Sequence, residues 1–303
     1  MDDRRSTEQA SPRFKDLDRW PSREILEALV GAQFSAVAAV WAVLASIERA
    51  AEASVARLRQ GGRLAYGGAG TSGRLAVLDG VELIPTFGFP EERLFLFLAG
   101  GAEAMWRPVE GAEDDQEAAA RLAQSLRHQD VLIAVAASGK TPFTLELVRQ
   151  ARIQGALTVA LANNPGTPLL EAAEHPLLLD TGPEVIAGST RLAAGTAQKV
   201  ALNLLSTLIM VRLGLTYGNL MVHVRPTNQK LHQRAVEIIA EVSGTGRLQA
   251  QQALREAGGE VPLGILLALG VDAERARALL NERSLRQALE EIWSKTPLRP
   301  EDT

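Results

Sequence analysis

The chain has 303 residues, 46% hydrophobic and 22% charged, with a formal net charge of −4. This is an ordinary globular composition with enough length for a large core, and the acidic balance excludes the basic footprint of a nucleic-acid binder. There is no cysteine, which excludes disulfides, thiolate nucleophiles and cysteine-held metals and agrees with a cytoplasmic setting.

Met1 to Trp20 is charged and aperiodic and reads as an extended arm without the apolar stretch of a signal peptide. Pro21-Ser22 opens a helix, with Ser22 as N-cap and Glu24 in the first turn. Ile25 to Leu58 is helical and alanine-rich, reads as two helices broken near Gly31, and ends at Gly61-Gly62. Alanine-rich faces pack closely, so this segment also suits a subunit contact.

Arg63 to Tyr66 is short and apolar enough for a strand. Gly67-Gly68-Ala69-Gly70-Thr71-Ser72-Gly73 follows, and Arg74 to Asp79 reads as helix. A strand, a glycine-rich turn and a helix start together make an anion site. Free backbone N–H groups converge there, the helix dipole favours negative charge, and glycine lets a ligand come close. Thr71 and Ser72 add hydroxyls. Gly68, Gly70 and Gly73 fit G-x-G-x-x-G, which alone is a weak dinucleotide signal. The acid that would hold a ribose falls in the proline and charge cluster at Pro90 to Glu92, so a phosphate on a smaller molecule fits better. The plain alternative is a tight turn with no ligand.

Arg93 to Leu98 is a second strand, Ala102 to Arg107 a short helix, and Val109 to Asp115 an acidic loop leading into a helix from Gln116 to Arg127. Asp114 and Asp115 read as helix caps. Asp130 to Ala136 is a third strand, apolar throughout as a strand covered on both faces should be. It runs into Ser138-Gly139-Lys140-Thr141-Pro142 before a helix from Phe143 to Ile153, repeating the first motif. Two such turns at the carboxyl ends of parallel strands face one crevice.

Leu157 to Ala162 and Pro176 to Asp180 are further strands. Gly182 to Arg191 leads into a helix from Ala193 to Leu213, with Ser189 or Thr190 as its cap, and Pro226-Thr227-Asn228 starts another to Val242. The longest apolar run, Val200 to Leu215, is broken by Asn203 and Arg212 and reads as a buried helix rather than a membrane span. From Gly246, short helices between turns read as a small bundle, followed by a polar tail from Thr296. The fold expected is α/β: a three-layer α/β/α sandwich with a parallel sheet and a small C-terminal helical bundle. Its segments are residues 1–60 (arm and helices), 61–243 (the ligand-binding domain) and 244–303 (helical domain and tail).

His128, His175, His223 and His232 show no metal spacing, and no G-x-S-x-G elbow or Walker pattern is present. Hydroxyl-rich loops and acids remain. Glu82, between Val81 and Leu83-Ile84-Pro85, is awkward to bury. Partial burial would raise its pKa toward that of a general acid, and a helix residue facing water weighs equally. Glu110 and Glu113 sit on another loop, and two carboxylates from separate loops can divide acid and base roles.

Several stretches resemble one family: GAGTSGRL from Gly68, VLDGVELIPTFG from Val77, VEGAEDD from Val109, AASGKTPF ending at Phe143, NNPGTPL from Asn163, EVIAGSTRLAAGTAQK from Glu184 and YGNLMVHVRPTNQKL from Tyr217. TEQASPRFKDLD, from Thr7, resembles the same family's N-terminal segment. The chain is similar to the N-acetylmuramic acid 6-phosphate etherases, built on the SIS (sugar isomerase) fold, over roughly residues 7 to 290.

The resemblance implies a homodimer that binds a small sugar phosphate, with no metal or redox cofactor, no nucleic acid and no membrane. It implies cleavage of a lactyl ether by elimination and then water addition, in cell-wall sugar recycling. Glu82 would protonate the departing lactate and Glu113 would be the base at C2. Thr71, Ser72, Gly73, Ser138, Gly139, Thr141 and Ser189 would hold the substrate. The chain departs from the family pattern at Ser11, Leu83-Ile84, Ala193, His223 and Pro226. Two other readings share the fold: a sugar-phosphate-binding regulator without turnover, as in the glucokinase regulatory protein, and an aldose–ketose isomerase.

Overall fold

Five short runs of apolar residues become strands because each is bounded by glycine or turn residues and is too short for a helix. They are β1 (Leu64–Gly68), β2 (Leu94–Leu98), β3 (Val131–Val135), β4 (Leu157–Ala162) and β5 (His175–Leu178). All pair in parallel, in the order β2-β1-β3-β4-β5. In this computed structural model the described residues are 6–294. The first five residues of the expected arm and the polar tail from Thr296 lie outside them.

The helices are α1 (Ser22–Trp41), α2 (Leu44–Arg59), α3 (Gly70–Phe87), α4 (Gln116–Ala123), α5 (Pro142–Ile153), α6 (Pro168–Ala172), α7 (Ala193–Arg212), α8 (Gln229–Ser243), α9 (Arg247–Glu256), α10 (Val261–Ala268), α11 (Ala273–Glu282) and α12 (Leu285–Ser294). The chain divides into two units. One holds the chain up to Val81 together with Glu91–Ile209; the other holds Glu82–Pro90 and the chain from Met210.

The first unit is the α/β/α sandwich. Alternate strand residues such as Ala65, Leu132, Ala134 and Ala160 pack with Ala119 of α4, Phe143 and Leu147 of α5 and Leu169 of α6. The opposite face carries Tyr66, whose hydroxyl donates to Asp79 of α3 at 2.9 Å. Asp79 also accepts from Asn203 at 2.6 Å and from Ser206 at 3.3 Å, both on α7. Burial pushes the Asp79 carboxyl above its ordinary value, partly offset by these three hydrogen bonds. Burial, with the neighbouring Asp79 charge, pushes the Tyr66 phenol well up. At the opposite end of the sheet, buried Asp130 takes the Arg63 main-chain N–H at 2.8 Å and a side-chain ion pair with the same residue at 2.6 Å.

Three expectations need correction. Gly31 does not break the first helix: α1 runs through it and ends at Trp41, and α2 starts at Leu44. One glycine costs a helix only about 1 kcal/mol, which the flanking turns absorb. Ser22 is the first helical residue rather than the cap, which is Pro21. The three 3₁₀ turns Ser6–Glu8, Pro12–Phe14 and Leu17–Arg19 replace a featureless arm.

α1 and α7 are both long and apolar enough to cross a membrane by length and composition. More than half of α7 is buried inside the protein. α1 instead exposes Leu26, Val30, Phe34, Val37 and Trp41, spaced three or four residues apart along one helical stripe.

The second unit packs α8 to α12 around a core that includes Ile239, Leu254, Leu263 and Leu289. Asn228 caps α8 by accepting from the Leu231 N–H at 2.9 Å, and Gly244, at φ 71°, ends it.

Candidate active site

The order of the strands reverses direction beside β1, which has β2 on one side and β3 on the other. Ligands of open parallel sheets bind outside the carboxyl ends of the strands at such a point. Here the turns after β1 and β3 open into a cavity of about 700 Å³.

The first turn is built by close approach. An added Cβ on Gly73 would lie 2.6 Å from the Gly68 carbonyl carbon and 2.6 Å from Leu98 Cδ1. The strand therefore touches the first turn of α3, and the N-terminus of that helix opens directly onto the cavity. Gly70 takes φ +54°, a conformation that suits glycine. Thr71 and Ser72 follow and line the cavity, Ser72 being largely buried.

The second turn repeats the arrangement. Gly139, at φ +62°, packs against the Thr167 side chain so closely that any Cβ there would overlap it. Ser138 and Thr141 both line the cavity, their hydroxyls 3.3 Å apart, and the Lys140 N–H donates to Ser138 Oγ at 3.2 Å. Pro142 at the first position of α5 suits a helix start whose N–H would otherwise lack a partner.

Glu113 reaches the same space from a 3₁₀ turn, Ala112–Asp114. Its Oε1 lies 2.8 Å from the Cβ position of Gly70, so the carboxylate stands over the glycine turn. Asp115 caps α4, accepting from the Ala118 N–H at 2.8 Å as expected, whereas Asp114 lines the cavity. Arg74 also lines it and is tied down by a 2.7 Å bond from its Nε to the Ala104 carbonyl.

Of the residues singled out from the sequence, Thr71, Ser72, Ser138, Thr141 and Glu113 therefore come together around one cavity. Gly73 and Gly139 shape its two turns. Ser189 is next to Thr190, which lines the cavity; Ser189 itself does not. Glu82 is not a lining residue. It falls late in α3, at the start of a segment of the second unit, and is exposed rather than partly buried.

Neither Ser189 nor Thr190 caps α7. The buried carboxylate of Glu184 does, accepting from the Ala193 and Ala194 N–H groups, both at 2.9 Å. Burial pushes its carboxyl upward, and the two backbone hydrogen bonds pull partly against that shift.

Arg74 and Glu8, the latter from the arm, line the cavity without having been singled out from the sequence. Thr7, the neighbour of Glu8, is fully buried, and the Thr7 side chain and N–H both meet the Asn164 amide. The signal available was the TEQASPRFKDLD stretch, which marked the arm as patterned without saying where it goes.

A model described as the glucokinase regulatory protein N-terminal SIS domain matches residues 46–151, and one described as the SIS domain matches residues 105–208. The sandwich with its two hydroxyl-bearing βα turns is thus a SIS-type fold. Among solved structures, a phosphoheptose isomerase from Francisella tularensis is similar, with 21% identity and a TM-score of 0.49, covering 63% of this chain and all of that one.

Much stronger likeness is found to curated proteins named N-acetylmuramic acid 6-phosphate etherase. The one from Deinococcus radiodurans is 53% identical over 91% of this chain and 92% of its own length. The one from Rubrobacter xylanophilus is 48% identical over 94% and 96%. The chain belongs to the N-acetylmuramic acid 6-phosphate etherase family.

Proposed function

We propose that this protein cleaves the D-lactyl ether of N-acetylmuramic acid 6-phosphate, giving N-acetylglucosamine 6-phosphate and D-lactate. Near full-length identity with etherases supports the reaction. The observation that carries the site assignment is the Glu113 carboxylate standing over the glycine turn, in a cavity lined by Thr71, Ser72, Ser138 and Thr141.

That placement supports the phosphate anchor and the base, whereas the acid role given to Glu82, which does not line the cavity, rests on the likeness to the etherases. Two helix N-termini and four hydroxyls suit a dianionic phosphate, and anchoring it orients carbons remote from the anchor. Once the sugar ring is open, C1 is an aldehyde and the C2 proton lies α to it. Glu113 removes that proton, the C3–O bond breaks, and Glu82 protonates the departing lactate. Water then adds to the resulting double bond. Gly73 and Gly139 shape the two turns, their own N–H groups being taken by the Ala69 and Ala136 carbonyls, and Ser189 stands one residue before Thr190 of the cavity wall. This sequence of proton transfers needs no metal or redox cofactor.

The protein is proposed to act in the cytoplasm, in recycling cell-wall sugar. It is further proposed to be a homodimer, with the exposed stripe on α1 as the contact, and to have no nucleic-acid or membrane partner.

Lactate release from N-acetylmuramic acid 6-phosphate by the purified protein tests the reading. The wild type should release D-lactate, and Glu82→Ala and Glu113→Ala should release little while still binding the sugar phosphate. Binding without lactate from the wild type would overturn the etherase reading in favour of a binding protein.

A further inference from the structure

The arm reaches the cavity by a specific fastening. The Thr7 side-chain oxygen accepts from Asn164 Nδ2 at 3.1 Å, and the Thr7 N–H donates to Asn164 Oδ1 at 3.4 Å. The Gly188 N–H donates to the Thr7 carbonyl at 2.9 Å. Ser6 Oγ adds a 3.0 Å bond to the same Asn164 oxygen. Asn164 in turn donates to the Ala137 carbonyl at 2.8 Å, immediately before Ser138. The arm is therefore fixed to the second βα turn and to the loop that carries Thr190.

This fastening leaves little choice for the next residue. Glu8 follows a fully buried threonine, is itself exposed, and lines the same cavity as Ser138, Thr141 and Glu113. Its Oε2 lies 3.1 Å from the Cβ position of Gly188, a residue at φ +77°. A side chain at 188 would therefore crowd the carboxylate. Among the described residues, no donor engages that carboxylate.

We propose that Glu8 is a substrate-binding residue that accepts a hydrogen bond from a hydroxyl or amide N–H of the bound sugar. An ionised carboxylate offers only acceptors. It repels phosphate, so its partner on a sugar phosphate is a donor away from the 6-phosphate. The two hydroxyl-bearing turns take the anion and the arm reads the sugar that carries it. Glu8 thus separates a phosphosugar from phosphate alone. The proposal rests on the sugar-phosphate reading of the cavity, and it adds a third carboxylate to the two assigned to chemistry.

The test compares wild type, Glu8→Gln and Glu8→Ala. Affinity is measured by titration calorimetry with N-acetylglucosamine 6-phosphate and, separately, with inorganic phosphate, and KM and kcat are measured for lactate release. Loss of one charged hydrogen bond should weaken sugar-phosphate affinity and raise KM about tenfold in Glu8→Ala. Glu8→Gln, which keeps an acceptor oxygen, should fall between. Inorganic phosphate should bind the two variants at least as well as the wild type.

Equal sugar-phosphate affinity in all three proteins would overturn the proposal. So would an equal loss for sugar phosphate and inorganic phosphate, since the arm would then only prop the second turn. If the wild type binds the sugar phosphate but releases no lactate, the etherase reading falls and the affinity comparison still decides Glu8. If it binds no sugar phosphate, both fall.

Discussion

The buried Asp130 carboxylate holds Arg63 twice over, through the main-chain N–H at 2.8 Å and through the guanidinium at 2.6 Å, and takes a third donor from the Arg127 N–H at 2.8 Å. Arg63 and Asp130 stand just before β1 and β3, the two strands whose far ends carry the cavity turns. The pair therefore aligns the two central strands at their entry.

Burial alone would raise the Asp130 carboxyl, but the hydrogen bonds and charge of Arg63 and the Arg127 N–H outweigh it and leave it lowered. A folded-state value below the unfolded one contributes stability above the ordinary carboxylate value of 3.8, and that contribution is lost as pH falls through the lower folded value. Urea unfolding at pH 7 should show Asp130→Ala destabilised by about 3–5 kcal/mol, because the largely buried Arg63 loses its counter-charge. Asp130→Asn should also flatten the acid limb of the stability curve. An unchanged acid limb would mean that other carboxylates dominate it.

Asp79 carries the opposite sign. Burial raises its folded value, so the folded state binds more protons than the unfolded one between 3.8 and that raised value. Stability contributed by this group therefore falls as pH rises across that window and is level above it. Asp79→Asn should remove this slope while keeping most of the contacts to Tyr66, Asn203 and Ser206. Asp79→Ala should be worse by about 1–3 kcal/mol, since it strands buried donors. Denaturation from pH 4 to 8 checks both; an Asn variant as unstable as the Ala variant would count against the network.

Gly73→Ala should damage binding more than stability. Its Cβ would meet the Gly68 backbone, which cannot turn aside as the Leu98 methyl can. The helix start must move away from the strand, which displaces Gly70, Thr71 and Ser72 at the cavity. Sugar-phosphate affinity should drop at least about tenfold, a shift of about 1.4 kcal/mol. Calorimetry decides it, and near-normal affinity would show that the turn tolerates the extra carbon.

The α1 stripe is tested by charge. Phe34, 73% exposed, and Trp41, 75% exposed, lie near the middle and end of the stripe. Phe34→Glu should convert a dimer to a monomer in light scattering or sedimentation at micromolar concentration. Folding should be unaffected, because neither side chain is buried in the first unit. A wild type that sediments as a monomer would remove the proposed contact.

The strands and both βα turns were legible because apolar runs between glycines leave few other conformations. The cap of α7 was not. Glu184 lies nine residues before Ala193 and bonds across a loop whose path no local pattern specifies. Hydroxyls nearer the helix start were the local expectation and turned out to serve elsewhere, Thr190 at the cavity. Gly31 shows the reverse error, a local breaker overruled by the helix around it. Glu113 was legible as an acid on a loop, but its place over Gly70 depends on where two separate strand ends meet. Glu8 was invisible for the same reason, since its position is set by Asn164.

The bond between Thr7 and Asn164 spans 157 residues. On the ribosome, the arm is made before β4 and has no partner until β4 and the turn after it have emerged. Closure over so long a stretch is slow and comes after local structure. The wall of the cavity that carries Glu8 is therefore a late event in the life of each nascent chain, and a growing polypeptide that already has its two glycine turns still lacks Glu8 in its place beside them.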